Sequence, residues 1–172
     1  MNEYTFKIGF SKSTKKFAIG SLLIRLFQKS NFSHTYISFK HPLIDSETIF
    51  QATGSGVNYI SRPRFELHNV TVKEFEISID LETFKSVLQK CHDTSGIKYG
   101  FMQNLGIALN RWMNKLGLKV NVNLFNKGVN CSELVAEVIS VTSPNLIIRL
   151  NKDINLVTPL DIFNYLNGGI NG

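Results

Sequence analysis

The sequence predicts an α+β fold in which an antiparallel sheet is bracketed by helices, and three observations predict it. Strand-like segments crowd the first half of the chain, separated by turn residues, while helical stripes dominate the second half. Neither internal repeats nor a linker interrupts the run. The 172 residues are 43% hydrophobic and 19% charged, enough apolar material to fill one core, so residues 1–172 are expected to form a single domain.

The elements follow in chain order. Tyr4, Phe6, Ile8 and Phe10 alternate with Thr5, Lys7 and Gly9, the period of a half-buried strand. Ser13 or Thr14 is placed to cap a helix running to about Gln28, with apolar positions Phe17, Leu22, Ile24, Leu26 and Phe27. The β-branched and aromatic run FSHTYISF reads as a strand, HPLID as a turn and ETIFQAT as the next strand. TGSG is a turn, and VNYIS and VTVKEFEIS are further strands. Asp80 caps a helix whose stripe is Leu81, Phe84, Val87, Leu88 and Cys91, and Gly96 ends that region. YGFMQNLGIALNRWMNKLG reads as a long helix loosened by Gly106, with the polar loop NVNLFNKG after it. CSELVAEVIS is a helix with Leu134, Val135, Val138 and Ile139 inward, and TPLDIFNYL is a last short helix with Pro159 in its first turn.

Composition excludes several classes. Two cysteines are too few for a disulfide framework, and neither has metal-ligand spacing, so no metal and no cofactor is expected. No stretch approaches the roughly 20 apolar residues of a membrane span. MNEYTFKIGF lacks the basic-then-apolar order of a signal peptide, which points to a cytoplasmic product. The net charge is +6, concentrated early in Lys7, Lys12, Lys15, Lys16, Arg25, Lys29 and Lys40. Such a patch reads first as a solvated face and allows weak association with an anionic surface. No nucleic-acid motif accompanies it.

The chemistry concentrates at NCSELV. Asn130 is a good N-cap, and Glu133 three residues later completes a variant capping box, so Cys131 falls in a first helical turn. Unpaired N–H groups and the helix dipole there favour an anion, so the thiol pKa is expected to fall, and the Cys131 N–H is placed to face an oxyanion. Cys91 lies on an apolar stripe and is core; its neighbour His92 points about 100° away and cannot pair with it. Of His34, His41, His68 and His92, only His34 lies in a strand that can hold an imidazole rigidly. If HPLI is a four-residue hairpin loop, Lys40 opposes Asp45 and His34 opposes Gln51. A slip of two puts Tyr36 opposite Gln51 and leaves His34 diagonal. In either register His34 and Gln51 share a sheet face, and a side-chain carbonyl there can fix the imidazole tautomer. Glu47 and Thr53 occupy the same face as alternatives.

These segments carry a family resemblance. A strand reading S-H-T-Y-I comes first, then T-I-F-Q-A-T-G-S-G-V, then C-S-E-L-V opening a helix, and T-P-L-D-I-F near the end. From about Lys16 to Leu166 the chain resembles the circularly permuted branch of the NlpC-type papain-like cysteine peptidases, of which lecithin–retinol acyltransferase is distant kin. The histidine before the cysteine marks the permuted order. The resemblance implies a permuted papain-like fold with Cys131 as nucleophile, His34 as base and Gln51 as orienting residue. It also implies that Tyr99, in G-I-K-Y-G, lies near the oxyanion. One departure is that bacterial members often carry an acid where Gln51 stands. The implied chemistry is attack on a carbonyl through a thioester acyl-enzyme, with a peptide, cell-wall fragment or acyl-lipid as substrate. Amide or peptide hydrolysis is the primary reading. Lipid-directed acyl transfer, or a catalytically weak binding protein that kept the fold, are the alternatives.

Overall fold

The computed structural model describes residues 4–14, 19–40, 46–100, 113, 114, 117, 128–143 and 153–169. Five strands, β1 (Tyr4–Ser13), β2 (His34–Lys40), β3 (Glu47–Thr53), β4 (Gly56–Ser61) and β5 (Asn69–Ile79), form one sheet of order β4-β3-β2-β1-β5. Every neighbouring pair is antiparallel. The helices are α1 (Ile19–Gln28), α2 (Arg62–Glu66), α3 (Leu81–Thr94), α4 (Cys131–Thr142) and α5 (Pro159–Gly169), with a 3₁₀ turn at Ile154–Leu156. The fold class expected from sequence is therefore present at the level of an antiparallel sheet with helices. Among the described residues no helix is long and apolar enough to cross a membrane.

Alternation along β1 decides which face is which. Phe6, Ile8 and Phe10 are fully buried and join Ile37, Phe39, Phe50 and Ala52 against α3, α4 and α5. Phe10 sits among the rings of Phe32, Phe75 and Phe163, with centroids 5.0, 5.9 and 5.3 Å away. On α4, Leu134, Val135, Val138 and Ile139 all face this core as their spacing predicts, and on α3 Phe84, Val87 and Cys91 do.

The opposite sheet face is organised by α2, an element the sequence reading missed. Phe65 of α2 packs on Tyr36 with ring centroids 4.7 Å apart. Arg62 sends a two-pronged contact to Glu47, Nε to Oε2 and Nη2 to Oε1, each 2.8 Å. It also donates to the Tyr36 hydroxyl at 3.1 Å and pairs with Glu74. Burial alone would raise Glu47, but Arg62 and Ser38 outweigh it and hold the carboxyl at about 2.

Three sequence expectations change. Ser13 ends β1 and the Thr14 N–H bonds the His68 carbonyl at 2.9 Å, so Ser13 is a strand residue; the described part of α1 opens at Ile19. Leu22 and Leu26 of α1 are exposed instead of packed. The β2–β3 register pairs Lys40 with Glu47 and Ile37 with Phe50, which is the two-residue slip, so Tyr36 stands across from Gln51. The HPLID turn and nearly all of the helix and loop expected over residues 101–127 lie outside the described residues.

Gly9 stands between Tyr36 and Glu74 in the strand rows. With no side chain there, the Tyr36 ring lies across β1 and its hydroxyl reaches Glu74 at 2.8 Å and Thr71 at 3.0 Å. A Cβ on Gly9 would overlap the phenol ring. Gly9→Ala should therefore lower stability by about 1–3 kcal/mol, the range of core overpacking. An unchanged urea midpoint would show that the ring does not need this gap.

Candidate active site

The site begins with the start of α4. Asn130 is fully buried and its Oδ1 accepts from the N–H groups of Ser132 (3.0 Å) and Glu133 (2.9 Å), while Glu133 Oε2 accepts from the Asn130 N–H at 3.3 Å. Both halves of the capping box predicted from sequence are present. Ser132 Oγ donates to the Val157 carbonyl at 2.6 Å and so ties this helix start to the segment before α5.

Cys131 is 2% exposed. Burial pushes its thiol up, and four donors oppose that: the N–H groups of Thr35, Ser132 and Cys131 itself, and the Tyr99 side chain. The sequence argument for a lowered thiol pKa is thus overturned. Burial disfavours the thiolate more than the donors at the helix start favour it, so the direction is upward. Depth inside the core could not be read from a capping motif.

Tyr99 is held by a parallel bridge to Val129: Val129 N–H to the Lys98 carbonyl at 2.9 Å and Gly100 N–H to the Val129 carbonyl at 3.1 Å. It is therefore a bridge residue and not the start of a helix. Gly128 makes the approach feasible, since a Cβ there would strike the Lys98 carbonyl and the Gly100 nitrogen.

His34 is the first residue of β2, and its Nε2 lies 3.0 Å from Gln51 Oε1. An amide oxygen only accepts, so Nε2 carries the proton and Nδ1 is left as the basic nitrogen. The diagonal register brings this pair together. The alternatives are engaged elsewhere, Glu47 by Arg62 and Thr53 by the Ser55 hydroxyl at 2.9 Å. The ring lies beside Tyr36 and Phe65, each with centroids 6.4 Å away. Burial lowers the imidazole to about 4, with Gln51 pulling the other way. At neutral pH the resting site therefore holds a neutral thiol and a neutral imidazole.

The two groups lie on opposite sheet faces at one end of β2. His34 shares a sheet face with Tyr36, whereas Cys131 belongs to the core on the other face and touches the strand at the Thr35 N–H. Among the described residues no hydrogen bond joins the sulfur to the imidazole. His34, Gln51 and Tyr99 line a common open cleft of about 450 Å³. His68, at its rim, and His92 are exposed, and His41 lies outside the described residues. Cys91 is buried and pushed up to about 12 by burial alone. Among the described residues no group of three His, Cys, Asp or Glu side chains is placed to hold a metal.

No protein-family model matches the chain, and no curated protein matches it. Among solved structures, the crystal structure of the metalloprotein yiiX from Escherichia coli O157:H7 is similar over 94% of this chain and 92% of that one, with a TM-score of 0.57 and 18% identity. That likeness is one of fold.

The half-buried imidazole sets a pH signature. Above about pH 6.5 His34 is neutral folded or unfolded; between 6.5 and 4 only the unfolded chain takes the proton, so stability falls as the pH drops through that window and the loss saturates below it. Imidazole NMR should give a His34 midpoint near 4, and His34→Gln should flatten the stability slope between pH 6.5 and 4. A His34 midpoint above 6 would contradict the neutral, partly desolvated ring.

Proposed function

We propose that the chain is a thiol-dependent hydrolase of permuted papain-like, NlpC-type architecture that cleaves an amide or peptide bond through Cys131, His34 and Gln51. The observation that carries this reading is the Cys131 sulfur at a capped helix start, under three backbone N–H groups, one of them from Thr35, and the Tyr99 side chain, while His34, the residue before Thr35, has its Nε2 held by Gln51.

The steps start from a neutral pair. As a substrate enters the cleft and the dyad closes, His34 Nδ1 takes the thiol proton while the sulfur attacks the carbonyl carbon. The oxygen gains the displaced electron pair and is held by the Cys131 N–H and the Tyr99 hydroxyl. Collapse breaks the C–N bond, and the leaving amine takes the proton from the imidazolium. Water, deprotonated by His34, then cleaves the thioester and restores the thiol. Gln51 holds the ring and its tautomer throughout, but as a neutral amide it stabilises the imidazolium less than a carboxylate would.

A second reading, lipid-directed acyl transfer, draws on one observation. Leu22 and Leu26 stand exposed on α1, whose Ile24 lines the cleft. Liposome flotation at two salt concentrations would favour it if binding persisted at high salt.

Cys131 has four donors to offset its burial and Cys91 has none, so Cys131 should alkylate with iodoacetamide at pH 7.5 at least tenfold faster; equal rates by peptide mass spectrometry would sink the nucleophile assignment. With peptide, cell-wall fragment and acyl-lipid substrates, Cys131→Ser should abolish the acyl-enzyme mass shift. Gln51→Ala should lower kcat about tenfold with KM little changed, and Gln51→Glu should retain or exceed wild-type turnover. A Gln51→Ala enzyme with wild-type kcat would remove Gln51 from the mechanism.

A further inference from the structure

The cleft over His34 has an uneven charge. Among the described residues its lining contains neither an aspartate nor a glutamate, and the full cation among them is Arg64, with His68 nearby. The remaining polar lining is hydroxyl and amide. Arg64 and Arg62 belong to the same short helix yet meet opposite circumstances. Arg62 is sunk among Glu47, Glu74 and Tyr36. Arg64 is exposed, and among the described residues it makes no ion pair.

The backbone that presents Arg64 is fixed. Its neighbour Phe65 is 1% exposed against Tyr36, and the Phe65 carbonyl accepts from the His68 N–H at 3.2 Å and the Asn69 side chain at 3.0 Å. The Thr14 N–H in turn bonds the His68 carbonyl. A guanidinium on a braced support, over a cleft whose described lining holds no carboxylate, is suited to two-pronged recognition of an anion.

We propose that Arg64 is a specificity-determining residue of this cleft and that the substrate carries a carboxylate or phosphate, away from the bond that is cut, which Arg64 binds. The inference rests on the cleft being the substrate site, and it adds the charge of the substrate to that reading. Positioning by this contact orients the carbonyl over Cys131, and a neutral analogue of equal size loses it.

The test reads affinity rather than turnover, on the full chain carrying Cys131→Ser, so it stands apart from whether hydrolysis is found. Three probes of similar size would be titrated by NMR: acetyl-Ala-Glu-amide, acetyl-Ala-Gln-amide and N-acetyl-phosphoethanolamine. The glutamyl or the phosphate probe should bind about tenfold more tightly than the glutaminyl one, and whichever is tighter identifies the anion. Arg64→Gln should erase that preference and leave the glutaminyl affinity unchanged, while Arg64→Lys should keep part of it, since a point charge lacks the fork. Thermal midpoints within a degree of the parent would show that the variants are folded, which their exposed position predicts. Equal affinity for charged and neutral probes, a preference that survives Arg64→Gln, or no binding of any probe at millimolar concentration would each overturn the proposal.

Discussion

The start of α4 is a closed polar knot inside an apolar core, and the site depends on it. Asn130, Ser132 and Glu133 are buried together, and each places its donors and acceptors on the others, on the helix backbone or on Val157. A buried polar cluster of this kind tolerates few geometries, because any missing bond leaves a desolvated group costing about 1–3 kcal/mol. It therefore fixes the angle at which the chain enters the helix, and with it the place of the Cys131 sulfur against Thr35. The Val129–Tyr99 bridge comes immediately before it, so the tyrosine is set by the same few residues.

Much of this was legible in the sequence, and the exceptions have physical reasons. Asn130 and Glu133 announced the cap by spacing alone, and the β-strands showed themselves by alternation, with edges differing by a few residues at β1 and β5. The shared face of His34 and Gln51 followed from parity, but parity cannot choose between registers two residues apart, so both stayed open until the strand pairing showed the two-residue slip. The short helix α2 escaped notice because RPRFE has one apolar residue, too few for any periodicity. The burial of Cys131 is a property of what packs over a helix start, including segments distant in sequence, and a local motif cannot report it. Tyr99 at the sulfur belongs to the same category, since only the bridge to Val129 brings it there.

Electrostatically the molecule sets the two arginines of α2 at different depths. Arg62 is spent on holding β3, β5 and α2 together, with its charge balanced by Glu47 and Glu74. Its neighbour two positions on keeps its charge for the cleft. At the cysteine and histidine burial makes ionisation unfavourable for both, so in the proposed mechanism proton transfer between them waits for a polar substrate that supplies a partner for the charge that forms. A resting neutral pair also suits Gln51, since a permanent imidazolium would call for a stronger counterpart than an amide.

The phenol of Tyr36 lying over Gly9 has a consequence for how this sequence can drift. Positions 9 and 36 sit on different strands, and each holds the other to its present residue. Any side chain at 9 evicts the ring, and any smaller residue at 36 leaves a furrow over bare backbone and removes the hydroxyl that Arg62 and Glu74 share. Neither site can change first without loss, so the pair behaves as one inherited unit that single-step mutation rarely crosses. Glycine followed at the proper cross-strand distance by tyrosine would then be a better marker of distant descent in such chains than either residue alone.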